Sequence, residues 1–521
     1  MARAPDDQTF YDDIEAYCGQ LSYEVGSGVG LHVSTRASRY SVTVDRWGAE
    51  RTEVWAAGGC VGEFIEPPTG ADSNGCGWPV ALEIPIGADW LSGFYLVTLT
   101  AIGAEPAHDV AHAFFVVRPA QSERANALLV LATNTWNAYN TWGGKSLYTG
   151  GHQVSFRRPF GRGMLCRPDV DRDDRKSRPV RFRETPDVDG ATFQEYRTAN
   201  NYPAAIGSTG WFTHERRFVA WAESEGFDFD IAVSSDLEQP GFLDGYDLVI
   251  SVGHDEYWSV AGRDAIDHHI NKGGNLATFS GNTMFWQVRF TGGTANTDHM
   301  ICHKYSAHQT DPVVAAGHPE LMTGMWADPL VARPEWTTIG GGSAFGLYHR
   351  FGKATPQGAG GFMVVDQDHW MFAGSGLNYG DLVGRDDGVV GYETLGCPLQ
   401  FDAESRLIPR PHPGFPDEME VVGFTLSSNL ATGEYPASIS ALNDQGDLEF
   451  VSSRLSGDDS PENLARWRRG NAVMLTCRPH GEQGGQVATV GTTDWVFGLA
   501  ADHQVGKVTA NVLDHLGIDR S

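Results

Sequence analysis

The sequence predicts an α/β protein, a mostly parallel sheet flanked by helices and preceded by an antiparallel β-sandwich. Three observations predict it. Between residues 19 and 118, short runs such as 40–44 and 94–100 alternate in period two, separated by Gly, Pro, Asn and Asp clusters, with no helical periodicity. From residue 127 the pattern changes to continuous apolar runs at 127–133 and 246–252, which suit strands buried on both faces. Helical spacing intervenes between such runs, and strand alternating with helix implies right-handed crossovers and parallel pairing.

In order, residues 1–120 are expected to form the sandwich domain, with 119–124 as a linker. Residues 121–521 are expected to form an α/β catalytic domain of the glutamine-amidotransferase or flavodoxin-like kind. The strand at 127–133 runs into a loop crowded with amides and aromatics that ends at Tyr148. Residues 157–190 carry nine arginines and one lysine without periodicity, and read as a solvated excursion, with a lid or a partner surface as the alternative. A helix at 211–225 stops at Gly226, and a strand at 230–233 follows. The strand at 246–252 leads into a helix at 260–272, and Gly273 and Gly274 separate that helix from a strand at 275–280. A C-terminal extension supplies strands near 361–365, 370–373, 389–392 and 487–490 and a helix at 505–516. Its last strand and helix are placed to rejoin the sheet.

Composition limits the partners. With 38 Lys and Arg against 66 Asp and Glu, the net charge of −28 repels nucleic acid and anionic membranes. No run approaches the roughly 18 apolar residues of a membrane helix, and the first residues lack an apolar signal core, so a cytoplasmic location is expected. Seven scattered cysteines without a C-x-x-C pair read as reduced thiols, not as a zinc site or a disulfide frame.

Parallel strands would bring Thr133 and Asn134, Gly253 and His254, and Gly281 and Asn282 to one edge of the sheet, where loops can share a site. His254 and Glu256 flank Asp255, so in an extended segment they point the same way; alone, they read equally as a polar loop or as a site. Tyr139 and Tyr148 are either packed loop aromatics or hard oxygen donors. A phenol with pKa about 10 binds at neutral pH only to an ion acidic enough to displace its proton, which suits Fe(III) better than Mg²⁺ or Ca²⁺. Zinc lacks a second histidine cluster at the strand ends. No cysteine or G-x-S-x-G nucleophile lies at a strand-to-helix turn, and no phosphate loop has the required context.

The series Asn134-Thr-Trp-Asn-Ala-Tyr139-Asn, Trp142-Gly-Gly-Lys-Ser-Leu-Tyr148, Ser155-Phe-Arg-Arg-Pro159, Gly253-His254-Asp-Glu256-Tyr257, Gly281-Asn282 and Gly391-Tyr-Glu393 resembles the large (β) subunit of N,N-dimethylformamidase over residues 125–521. The resemblance implies one mononuclear Fe(III) per chain, held by Tyr139, Tyr148 and Glu256, in an enzyme that hydrolyses a small N-substituted amide. It further implies Glu393 as acid and base, with His254 and Asn282 beside the metal or substrate, and it leaves room for a small partner subunit and for homo-oligomerisation. The chain departs from the family in being shorter, in an N-terminal sandwich not obviously the same module, and in the compact loop between the two tyrosines. Trp136, Trp142 and Tyr257 are expected to exclude water around the substrate. Two rival readings stand beside this one: a metal-free carbohydrate- or peptide-binding protein on a degenerate scaffold, and a redox enzyme that uses the iron with oxygen.

Overall fold

The structure is a computed structural model that describes residues 13–104, 109–167, 202–203, 205–293, 297–351, 354–356, 360–435 and 446–520. The N-terminal part stacks two sheets. One pairs Ile14–Cys18, Gly28–Thr35 and Val80–Pro85; the other runs in the order Ser22–Glu24, Val110–Arg118, Gly93–Ala101, Arg39–Trp47, Arg51–Val61. Alternate residues such as Val29, Leu31, Val42, Val97 and Phe115 fill the space between them. On strands Gly93–Ala101 and Val110–Arg118 the outward side chains Phe94, Leu96, Phe114 and Val116 are also buried, covered by the rest of the chain. Phe94 stacks on Trp211 with ring centroids 3.9 Å apart, and Phe114 packs on Trp136 and Phe160. Arg46 pairs with Glu223 at 2.7 Å at the margin of this contact.

The central sheet has nine strands in the order Asp230–Val233, Ala127–Leu131, Leu248–His254, Asn275–Gly281, Val487–Val490, Arg469–Cys477, Met419–Ser428, Phe362–Val364, Leu382–Val383. Its first five strands are parallel and its last four antiparallel, and the described chain is 33% strand against 22% helix. The expected mostly parallel, flavodoxin-like domain is therefore wrong: the sheet is mixed, and sheet dominates the molecule. The reason lies in the two strands missing from the prediction. Helices Asp447–Ser456 and Pro461–Arg468 separate Met419–Ser428 from Arg469–Cys477, which looks like a parallel crossover in sequence, yet these strands pair antiparallel along their whole length. The strand expected at 370–373 is a single 3₁₀ turn, Trp370–Phe372, and 389–392 is buried without joining a ladder.

Other elements fall close to their predicted places. Helices Glu215–Ser224, Val260–Asn271 and His503–His515 cover the sheet, and the last two have side-chain caps from Ser259 and Asp502. Val487–Val490 joins the sheet beside Asn275–Gly281. Most of the Arg-rich excursion at 157–190 lies outside the described residues. Its first part is not solvated: Arg158 is fully buried and donates to the carbonyls of Trp142, Asn140 and Ser155, which ties down the loop between Tyr139 and Tyr148. No described helix is long and apolar enough to cross a membrane.

Candidate functional site

The parallel half of the sheet brings the carboxyl ends of Ala127–Leu131, Leu248–His254 and Asn275–Gly281 side by side. The first strand runs directly into helix Thr133–Tyr139, which delivers Tyr139 at its last residue. The second ends in Gly253 and His254. Gly253 has φ 77°, and a Cβ there would sit 2.4 Å from the Cβ of His214, so the sharp exit requires glycine. After the third strand, a Cβ on Gly281 would lie 2.3 Å from the carbonyl oxygen of Glu393 and 2.5 Å from the amide nitrogen of Thr493. Its absence lets the segment bearing Glu393 close on this edge. Asn282 follows in the left-handed region at φ 52°, which its side chain tolerates better than most.

Five of the six predicted residues, Tyr139, Tyr148, Glu256, Asn282 and Glu393, line one cavity of ≈ 20 Å³, which restricts it to a small occupant. The sixth, His254, does not line the cavity but touches two residues that do, Glu256 and Glu393. Glu256 is the hub. Its carboxylate accepts from the Tyr148 hydroxyl at 2.7 and 2.9 Å, from the Tyr139 hydroxyl at 3.4 Å and from the Trp286 indole at 2.6 Å. Its amide nitrogen donates to Thr135 Oγ1 at 2.9 Å, which locks the loop to the helix that carries Tyr139. The Tyr139 and Tyr148 rings stack with centroids 4.1 Å apart. His254 Nε2 lies 2.6 Å from Glu393 Oε2 and 3.2 Å from Glu256 Oε2, while its Nδ1 meets the Ser208 carbonyl at 3.0 Å and the Tyr392 hydroxyl at 2.8 Å.

These contacts set the charges. Burial alone would depress the His254 imidazole, but the neighbouring Glu393 and Glu256 push it up to about 10. Burial would raise Glu256, yet its hydrogen bond to His254 and the charges of His254 and Lys304 hold it below the usual carboxylate range. The phenols of Tyr139 and Tyr148 are driven well above their ordinary value, by burial first and by the Glu256 charge second. Without a cation among them, these two phenols stay protonated.

The arrangement suits a hard, strongly acidic cation. Three oxygen-bearing side chains converge on one small buried space, and only a cation offsets the cost of ionising two phenols beside a carboxylate. Among the described residues no group of three His, Cys, Asp or Glu side chains is placed to hold a metal ion. A cation here would therefore depend on the phenol oxygens. The side-chain oxygen of Asn282 is buried in the same cavity and has no hydrogen-bond partner among the described residues, a polar group left for a ligand.

Sequence reasoning misplaced the aromatic wall. Trp136 is buried with its indole donating to Glu215, and Trp142 packs edge-on against Trp78 away from the cavity. Tyr257 donates to the Tyr148 hydroxyl at 2.9 Å. The wall comes instead from Phe285, Trp286, Tyr305, Tyr348, Phe351 and Tyr392. Lys304 was also missed: its ammonium lies 3.2 Å from the centroid of the Tyr148 ring, and its backbone sits at φ 51°. Of these, only Tyr392 lay inside a motif that the sequence singled out.

Strand Trp286–Thr291, which presents Trp286 to Glu256, is clamped from below by Asp311. This carboxylate receives both Arg289 nitrogens at 2.8 Å, and the Thr323 amide and hydroxyl at 2.8 and 2.7 Å. Burial would raise its pKa, but these donors hold it well below the ordinary value. Such a group contributes stability above its unfolded pKa of about 3.9, and the contribution is lost as pH falls toward its folded value. Asp311→Asn is expected to cost about 1–3 kcal/mol at pH 7, because the buried carboxylate's charge-assisted bonds to Thr323 and to the half-buried Arg289 guanidinium are weakened. Urea unfolding should show the gap from wild type narrowing steadily below about pH 4, where the unfolded chain takes up the proton.

Comparison with known proteins places the chain in a family. A family model described as "N,N-dimethylformamidase beta subunit-like, C-terminal" matches residues 41–508. The match begins inside the N-terminal sandwich, so the relationship extends well upstream of residue 125, where the resemblance was expected to start. Two relatives are named N,N-dimethylformamidase beta subunit. That of Paracoccus aminophilus is 27% identical over 126 residues, covering 24% of this chain and 14% of the relative. That of an Alcaligenes species is 29% identical over 85 residues, covering 16% and 11%. These aligned stretches span a small part of either relative, whereas the family model spans most of this chain. The chain belongs to the N,N-dimethylformamidase beta subunit-like, C-terminal family.

Proposed function

We propose that the chain is an amide hydrolase that cleaves the C–N bond of a small, N-substituted, formamide-like amide at a mononuclear ferric centre held by Tyr139, Tyr148 and Glu256. The observation that carries this reading is the convergence of both phenol hydroxyls on the Glu256 carboxylate inside a small buried cavity. A ferric ion bound by these three oxygens would supply Lewis acidity without redox turnover, polarising the amide carbonyl and stabilising the charge that develops on its oxygen.

The protein's own groups do the rest. Glu393, at the cavity wall, takes a proton from the attacking water and delivers it to the leaving nitrogen, since an amine departs readily only when protonated. His254 holds Glu393 in place for this task. Its Nε2 is shared between Glu393 and Glu256, and its Nδ1 is occupied by Ser208 and Tyr392. That engagement on both sides favours orientation of the two carboxylates over direct binding of the amide, which narrows the role given to His254 from sequence. Asn282, whose side-chain oxygen faces the cavity, meets the polar end of the amide with its carboxamide, and the aromatic wall excludes water around the N-substituents. Both relatives are named as subunits, so a partner subunit belongs to this reading.

Iron-loaded protein is expected to release dimethylamine from N,N-dimethylformamide at the same rate with and without oxygen. Release that requires oxygen would point to redox chemistry, and failure with every small formamide at full iron loading would refute the reading.

A further inference from the structure

The turn that carries Asn282 is strained. Asn282 and Met284, on either side of Thr283, both lie in the left-handed region, at φ 52° and 58°. Asparagine tolerates this backbone, whereas methionine has no side-chain hydrogen bond to compensate for it. Such residues persist only where their surroundings over-determine them, and they concentrate at functional sites. Two backbone bonds tie the far side of the turn to the loop bearing His254 and Glu256. The Met284 amide donates to the Asp255 carbonyl at 3.0 Å, and the Trp286 amide donates to the Glu256 carbonyl at 2.9 Å.

A buried chain of hydroxyls holds the near side. Thr283 Oγ1 lies 2.7 Å from Ser280 Oγ, which lies 3.1 Å from Ser251 Oγ, and Ser251 donates to Asp255 Oδ2 at 2.7 Å. None of these four residues is more than 3% exposed. The carboxylate fixes the sense of the chain. A hydroxyl has one hydrogen, and that of Ser251 goes to Asp255, so Ser280 donates to Ser251 and Thr283 donates to Ser280. The chain crosses between the adjacent parallel strands Leu248–His254 and Asn275–Gly281. A hydroxyl that needs only to be satisfied can close on a nearby carbonyl, as Thr489 does on Ile339. This chain instead runs from the residue after Asn282 to a carboxylate placed between His254 and Glu256.

We infer that Asp255, Ser251, Ser280 and Thr283 are positioning residues that aim the Asn282 carboxamide into the cavity, in register with Glu256. The effect on rate rests on the amide-hydrolase reading above, whereas the orientation of Asn282 is read without cleavage. Amide NMR of the full-length protein with isotope-labelled asparagine, prepared without iron because its paramagnetism broadens nearby signals, reports that orientation. The Asn282 carboxamide is the resonance pair missing from Asn282→Ala.

Ser280→Ala cuts the chain in its middle and leaves the Asp255–Ser251 bond and all three proposed iron ligands in place. The Asn282 pair is expected to shift and broaden, while pairs from asparagines that do not line the cavity, such as Asn429, stay where they are. Iron content should match wild type. KM for N,N-dimethylformamide should rise about 10-fold with kcat changed less than about threefold, short of the roughly 100-fold cost of a 1 Å misplacement because the two backbone bonds remain. Added to Asn282→Ala, Ser280→Ala should change kcat/KM by less than about threefold, since its effect passes through Asn282. An unmoved Asn282 pair, an unchanged KM beside an active wild type, or a full additional loss in the double variant would each overturn the inference. An Asn282 pair that moves in a protein whose wild type cleaves no formamide at full iron loading would sustain the chain and refute the hydrolase. If Ser280→Ala fails to fold, Thr283→Val, which removes the hydroxyl nearest Asn282 and keeps the branched shape, should move the same pair. No movement in that variant would also overturn the inference.

Discussion

Replacing Glu256 by Gln is expected to remove ferric ion and amide hydrolysis together. Glu256 is the point on which both phenols, the Trp286 indole and His254 converge, so its loss removes the carboxylate that both phenols contact. Loss of an outer-shell partner commonly costs about 10–100-fold in metal affinity, and loss of a charged ligand should exceed that range. Activity should fall to background even after incubation with excess iron. Iron titration of the purified variant measures the first effect and amine release the second. A thermal unfolding curve taken alongside distinguishes ligand loss from collapse of the fold. A variant that kept one tightly bound ferric ion would remove Glu256 from the ligand set.

Glu393→Gln is expected to separate binding from chemistry. The substitution keeps the shape of the side chain and removes the carboxylate that moves the proton. It leaves Tyr139, Tyr148 and Glu256 intact, so iron content should match wild type. The rate of hydrolysis should drop about 10²–10⁴-fold, the usual contribution of a positioned acid or base. The loss should fall on kcat, because Glu393 acts on water and the leaving nitrogen and not on ground-state binding. Retention of full activity would assign proton transfer to another group.

Much of the site was legible because the residues that compose it sit where strands end. His254 ends one parallel strand, Asn282 follows the adjacent one, and Tyr139 lies one short helix beyond a third. The continuous apolar runs marked those strands, and the family motifs marked Glu393, which no periodicity would have found. What stayed hidden depends on contacts between distant segments. Asp447 reaches the cavity through Tyr305, Tyr348 and Tyr435, and Lys304 through the face of Tyr148, and no spacing in the chain announces either. The antiparallel half of the sheet was missed for a related reason. Strand direction is set by how a connection returns, and the helices between Met419–Ser428 and Arg469–Cys477 do not reveal that the chain comes back on the same edge. Arg158 was misjudged because its guanidinium, read as solvated, is satisfied by backbone carbonyls of the tyrosine loop.

The central claim is that two phenols and one carboxylate hold a ferric ion for hydrolysis. Metal analysis and a visible spectrum of the purified protein, with Tyr139→Phe and Tyr148→Phe beside it, test it most directly. The account predicts one iron per chain and a phenolate-to-iron charge-transfer band that weakens in each single variant and is absent from the double. A colourless, iron-free protein that hydrolyses small amides at full rate would contradict it.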